Sequence, residues 1–173
     1  AVLDALYPDR VIIGAEEDKS LETLRELYAG LLYQTFTAPE FAPRPKRLQQ
    51  VPLLETNCTS SEAIKYAANT FLALKISFIN QMAGLCELVG ADVTQVAHGI
   101  GLDDRIGPRF LRAGIGWGGS CFGKDTQALI STAQEFGYDM PILRAVLESN
   151  KTQHFTVVEK LQKELKVLKG KKI

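Results

Sequence analysis

The sequence predicts an α/β protein that is mainly α: a β-α-β piece in the first third of the chain, then helices only. Three observations carry this. Two short β-type runs, Val11–Gly14 and Val51–Leu54, flank one amphipathic segment. A long, largely apolar segment runs from residue 59 to about Val89. After it, Gly90, Gly99, Gly101, Gly107-Pro108, Gly137 and Pro141 separate segments of helical spacing. Element by element, Val11-Ile12-Ile13-Gly14 is an apolar strand closed by glycine, and Ser20 to Tyr33 is a helix. That helix places Leu21, Leu24, Leu27, Tyr28, Leu31 and Leu32 on one face, with Glu22, Arg25 and Glu26 between them. Pro39, Pro43 and Pro45 make 37–50 a loop, and Val51 to Leu54 is the second strand. Thr59-Ser60-Ser61-Glu62 reads as a capping box opening the long helix. Shorter helices follow at Asp92–Gly99 and Phe122–Phe136, and Pro141 starts a last helix towards Leu168.

The chain has 173 residues and is 46% hydrophobic, enough for a real core. Lys plus Arg and Asp plus Glu both number 20, so net charge offers no attraction to nucleic acid or to an anionic membrane. The basic stretch Lys163–Lys172 reads as a solvated helix end. Cys58, Cys86 and Cys121 show no CxxC spacing, so neither a disulfide framework nor a metal site is expected. With no signal peptide and no apolar run long enough to span a bilayer, a reducing, cytoplasmic compartment is expected. Ala1–Ala5 begins in mid-element, and Lys169-Gly170-Lys171-Lys172-Ile173 resembles the turn into a further strand. Both ends suggest a fragment of a larger enzyme.

The most informative residue is Cys121, within Gly116-Trp117-Gly118-Gly119-Ser120-Cys121-Phe122-Gly123-Lys124-Asp125. Glycines allow close approach of backbone to ligand. The thiol falls at a helix start, where the dipole and Lys124 favour the nucleophilic thiolate. Asp125 is placed to act through a water or a hydroxyl. A free cysteine is more commonly a small buried hydrophobe, as Cys86 reads among Leu85, Leu88 and Val89.

The long helix is apolar nearly all round, which predicts burial. Glu62, Lys65, Asn69, Asn80 and Glu87 nevertheless share a narrow wedge. Lys65 and Asn69, spaced i and i+4, can converge on one ligand as oxyanion-stabilising donors; a thin solvated stripe is the plainer alternative. Arg105, Arg109 and Arg112 precede the glycine loop and suit phosphate or carboxylate, or simply the surface.

Pro8–Gly14, Ser60–Ala73, Asp104-Arg105-Ile106-Gly107 and Gly116–Asp125, in this order and at these separations, resemble the UDP-glucose 6-dehydrogenase family. The resemblance covers nearly the whole chain except the loop near 37–50. It implies the end of a Rossmann-type NAD-binding domain (1–57), then the all-helical central dimerisation domain of the 6-phosphogluconate dehydrogenase C-terminal-like type with the catalytic Cys (58–153). Residues 154–173 would lead into a UDP-sugar-binding domain. The implied reaction is a four-electron oxidation of UDP-glucose to UDP-glucuronate with two NAD⁺, through a thiohemiacetal and a thioester on Cys121.

By the same resemblance, Lys65 and Asn69 stabilise the oxyanion and hold the catalytic water, and Asp125 assists with that water. Arg105 reaches the substrate of a partner subunit in a homodimer or higher oligomer. Arg112 and Gly116, Trp117 and Gly118 follow the nucleotide sugar, while Cys121 and Lys124 border the nicotinamide. Arg112 and Gly123 depart from residues common in the family. No GxGxxG follows a strand, so the main dinucleotide site and the uridine-gripping domain are expected outside residues 1–173, which alone should be inactive. GDP-mannose dehydrogenases are the nearest enzymatic alternative. A cysteine hydrolase or thiol peroxidase, with only His98 and His154 as histidines, and a non-catalytic helical dimerisation module are the alternatives from other classes.

Overall fold

A computed structural model of the chain describes residues 2–170. The elements are α1 (Val2–Leu6), β1 (Val11–Gly14), α2 (Asp18–Leu32), β2 (Leu53–Thr56), α3 (Cys58–Val89), α4 (Val93–Gly101), α5 (Phe122–Glu135) and α6 (Pro141–Leu165). They form two compact units, one up to Lys65 and one from Tyr66 onward, with α3 running through both.

In the first unit β1 and β2 pair in parallel, Val11 opposite Leu53 and Gly14 opposite Thr56. A parallel pair needs a crossover connection, and α2 lies on that crossover. The second strand sits two residues later than the sequence pattern suggests. Val51 is fully buried, and its N–H goes to Leu32 O at the end of α2 rather than to β1. Pro52, which has no N–H, gives only its carbonyl, to Val11 N. Leu32 is buried, but Leu27, expected on the same face of α2, is 72% exposed, because a two-stranded sheet is too narrow to cover that whole stripe.

The proline-bearing loop is organised by side chains. Tyr7 Oη donates to Ala42 O at 2.6 Å and its ring stacks on Phe36, while Gln34 Nε2 donates to Leu6 O and Leu31 O. Where β1 ends, a Cβ on Gly14 would stand 2.2 Å from Ser61 Oγ and 2.8 Å from Asn57 O. Strand end and helix start therefore touch backbone to backbone, which only glycine permits.

The expected capping box is not used. α3 begins at Cys58, and the Asn57 side chain accepts from Ser60 N–H at 2.7 Å, as an N-cap does. Thr59, Ser60, Ser61 and Glu62 are already helical, and Ser61 Oγ turns back to Cys58 O. A Ser/Thr-rich stretch offers several cap registers; the strand end at Thr56 selects the earliest.

In the second unit Ala73, Ile79, Cys86, Leu111, Ile130, Leu143 and Val146 form the core, with α5 packed on α6. α4 is capped by Asp92, whose carboxylate accepts from Thr94 N–H and Oγ1–H; those bonds hold it below the usual carboxylate range. α6 stops at Leu165, short of Leu168, because Lys166 takes a φ of 58° with its N–H on Gln162 O. The strand expected beyond Lys169 lies outside the described residues.

Two expectations about α3 do not hold. The helix is not buried within the chain: Phe71, Phe78, Leu85 and Leu88 are between 48% and 85% exposed. Its 32 residues also include an 18-residue window of mean hydropathy 1.3, long and apolar enough by length and composition to cross a membrane. Scattered polar residues such as Lys75 and Asn80 break the run in the sequence without lowering the window mean below that level. Hydropathy alone does not say whether protein or lipid covers such a face.

The glycines supply a stability test. Gly14→Ala is expected to lower the melting temperature measurably. Gly84→Ala, within α3 and with nothing within 4 Å of its Cβ position, is expected to raise stability by about 0.5–1 kcal/mol. Calorimetric scans of both variants check this.

Candidate active site around Cys121

The site is built in the second unit from two helices and the loop before α5. Cys121 is the N-cap residue of α5 and is exposed. Its carbonyl accepts from Asp125 N–H at 2.8 Å, the first turn of the helix, and its Sγ lies 3.7 Å from Ser120 Oγ. Asp125, one turn on, is fully buried. Its Oδ2 accepts from Asn69 Nδ2 of α3 at 2.7 Å, and its Oδ1 lies 3.1 Å from Lys124 Nζ. A buried carboxylate needs such partners, because desolvating an unpaired charge is costly. Asn69, Lys124 and Asp125 thus come together directly, beside the residue that carries the thiol. Lys65 is exposed on α3, one turn before Asn69.

The wedge of polar residues on α3 is divided: Glu62, Lys65 and Glu87 are exposed, Asn69 is half-buried and Asn80 is buried. Asn80 is 4% exposed, and its Oδ1 accepts from Gly114 N–H at 2.7 Å. Glu87 pairs with Lys160 of α6. The segment that Gly114 belongs to is tied again from α6: Gln153 Nε2 donates to Gly114 O, and the Asn150 amide bonds both polar atoms of the Trp117 peptide. Gly116 takes a φ of 110° with its Cβ position 2.6 Å from Asn150 Oδ1, so this turn requires glycine. Gly118 and Gly119 have open space where a Cβ would stand.

Arg105 is exposed, with Nη2 2.7 Å from Asp103 Oδ2, and this pairing holds the Asp103 carboxyl below its ordinary range. Lys75 of α3 donates to Ile106 O and Gly107 O, fixing the turn that carries Arg105. Arg112 lines a cavity of ≈ 370 Å³ with Val93, Thr94, Pro108, Phe110 and Leu111. The His154 ring lies against that of Phe155, tilted by 36°, and His98 lies in the last turn of α4.

Residues 59–152 match the model of the UDP-glucose/GDP-mannose dehydrogenase family, central domain. The chain belongs to that family. Among its relatives, the UDP-glucose 6-dehydrogenase TuaD of Bacillus subtilis is 45% identical over all 173 residues, which cover 34% of that protein. The UDP-glucose 6-dehydrogenase of Pseudomonas aeruginosa is 48% identical over 161 residues, 93% of this chain and 32% of the relative. A solved UDP-glucose dehydrogenase from Pyrobaculum islandicum superposes with a TM-score of 0.83 at 36% identity, over 98% of this chain and 35% of that one. The chain therefore spans about a third of the length of the relatives it matches.

The sequence pattern singled out Cys121, Lys65, Asn69, Lys124 and Asp125. It passed over Lys75, Ser77, Asn150 and Gln153, the polar residues that hold the loops. A small polar residue on a helix otherwise apolar, as Ser77 is, or an Asn–Gln pair at i and i+3, as in α6, was the available signal.

The cysteines supply a test of reactivity. Cys86 is buried. Desolvation, and then the Glu16 carboxylate, push the Cys58 thiol above its ordinary range, which favours the protonated form and slows its alkylation near neutral pH. Cys121 is expected to be alkylated by iodoacetamide faster than either, with Cys58 catching up only as pH rises. Labelling rates by mass spectrometry check this; equal rates at neutral pH would sink the assignment of Cys121 as the reactive thiol.

Proposed function

We propose that the enzyme containing this chain oxidises UDP-glucose to UDP-glucuronate, with Cys121 as the covalent nucleophile. The observation that carries this reading is an exposed cysteine at the start of α5, one turn from a buried carboxylate held by Asn69 and Lys124. The family and the relatives named UDP-glucose 6-dehydrogenase support the substrate.

NAD⁺ is the expected cofactor. Two observations support room for its planar ring: Cys121 and Lys124 are both exposed, and the Cβ positions of Gly118 and Gly119 face open space. Bound there, it would accept one hydride from the sugar C6 in each of two oxidations. In balance, the C6 alcohol, two NAD⁺ and one water give the carboxylate, two NADH and three protons.

The chain's own residues do the rest. The Cys121 thiolate adds to the C6 aldehyde, forming a C–S bond and placing negative charge on oxygen, which takes up a proton to give a thiohemiacetal. Covalent attachment retains the aldehyde until it is oxidised to the thioester. Lys65 and the Asn69 amide stabilise the developing oxyanion. Asp125, oriented by Asn69 and Lys124, assists the water that attacks the thioester; the C–S bond breaks, and the thiol and the carboxylate are released. Arg112, Gly116 and Gly118 follow the nucleotide sugar.

Residues 1–57 would then be the end of a Rossmann-type NAD-binding domain and 58–153 a central dimerisation domain. The exposed apolar face of α3 suits a two-fold contact, across which Arg105 would reach the partner's substrate. Such an enzyme works in the cytoplasm, where its cofactor and nucleotide sugar are found.

In the full-length enzyme, Cys121→Ser is expected to abolish sustained NADH formation from UDP-glucose, and Lys65→Ala to lower kcat by about 10²-fold or more. Unchanged turnover in either variant refutes the assigned role. Light scattering is expected to show a dimer or larger assembly at micromolar concentration; a monomer counts against the two-fold contact.

A further inference from the structure

Trp117 makes three hydrogen bonds among the described residues. Its peptide N–H donates to Asn150 Oδ1 at 2.8 Å, and its carbonyl accepts from Asn150 Nδ2 at 2.9 Å. Its indole Nε1–H donates to Ser77 Oγ at 2.9 Å. Asn150 is on α6 and Ser77, buried, on α3, so one residue of the glycine loop is tied to two helices. Both donors of Trp117 are consumed by these bonds.

The ring faces the start of α5. It lies edge-on to Phe122, with centroids 6.0 Å apart at 84°, and its Cζ3 is 3.8 Å from the Cβ position of Gly123. Phe110 flanks the same Phe122 ring from another segment. Phe122 and Gly123 are the residues immediately after Cys121. The α3 helix that holds the indole is also the one whose Asn69 holds Asp125. Thiol and carboxylate are thus referenced to one rigid helix, by separate bonds two turns apart.

We infer that Trp117, clamped by Asn150 and Ser77, is a positioning residue for the Cys121 thiol rather than a group that contacts the sugar. Its ring sets where the start of α5, and with it Sγ, stands relative to Asn69 and Asp125. The catalytic consequence rests on the reaction proposed above, whereas the effect on the thiol does not. Displacing a reacting group by about 1 Å can cost on the order of 10²-fold in rate, so loss of the clamp acts on turnover more than on substrate affinity.

The test uses the full-length enzyme with Asn150→Ala, Ser77→Ala, Trp117→Phe and the Ser77→Ala/Trp117→Phe double variant. The readouts are kcat and KM for UDP-glucose, and the iodoacetamide labelling rate of Cys121 relative to Cys58 in the same molecule. Asn150→Ala is expected to lower kcat by about 10- to 100-fold with KM changed less than about threefold, and to shift the labelling ratio severalfold. Ser77→Ala and Trp117→Phe remove the same bond, so the double variant is expected to be no worse than the poorer single one.

A raised KM with kcat and labelling unchanged overturns the inference and makes Trp117 a substrate contact. Additive effects of the two single changes overturn the Ser77 half of the clamp. Should Asn150→Ala lose its circular dichroism, the Ser77/Trp117 cycle decides alone. Should the parent enzyme not oxidise UDP-glucose, the proposed reaction fails, while the labelling ratios still decide whether the clamp positions the thiol.

Discussion

Asp125 is a carboxylate with no exposure to solvent, and the second unit is arranged so that it can be there. An ionised carboxylate at such a position is costly unless its oxygens are occupied. Asn69 reaches it from α3 and Lys124 from the neighbouring position on α5, so the charge ties the two helices together. This requirement fixes the register of α5 against α3 and places Cys121, one turn before Asp125, at the exposed end of its helix. An exposed thiol and a buried acid are therefore consequences of one packing solution.

The loop before α5 obeys a related constraint. A glycine-rich segment has the most conformational freedom to lose on ordering, and it has few side chains with which to hold itself. Its order is supplied from outside, by amides on helices that are ordered already: Asn80 and Gln153 on Gly114, and Asn150 on Trp117. These bonds go to backbone, so they fix the path of the chain while leaving open space at the Cβ positions of Gly114, Gly118 and Gly119. Rigid elements thus carry the precision, and the loop carries the access.

The exposed apolar face of α3 has the opposite character. Phe71, Phe78, Leu85 and Leu88 are only partly covered among the described residues, yet the same helix buries Ser77 and Asn80. Ser77 and Asn80 therefore lie inside beside Ala73 and Ile79, where they hold the loops, while several large apolar side chains lie outside. An exposed apolar set of this kind is expected of a helix whose outer face meets another surface.

Much of this was legible in the sequence. The order of elements from β1 onward, the β-α-β start, the thiol at a helix start and the Lys65–Asn69 spacing follow from periodicity, glycine and proline, which act locally. What failed or was missed is non-local. The second strand shifted because Val51 had a better partner in Leu32 than in β1, and the cap moved to Asn57 because Thr56 ends the strand there. Burial of α3 could not be judged from its own composition, because burial depends on what lies opposite. Nor could Asn150 be tied to Trp117, 33 positions away, by any spacing rule. The sequence by itself determined which residues are chemically able to form the site. The tertiary structure decided which of them meet, because a hydrogen bond depends on distances of a few tenths of an ångström that only the packed helices set.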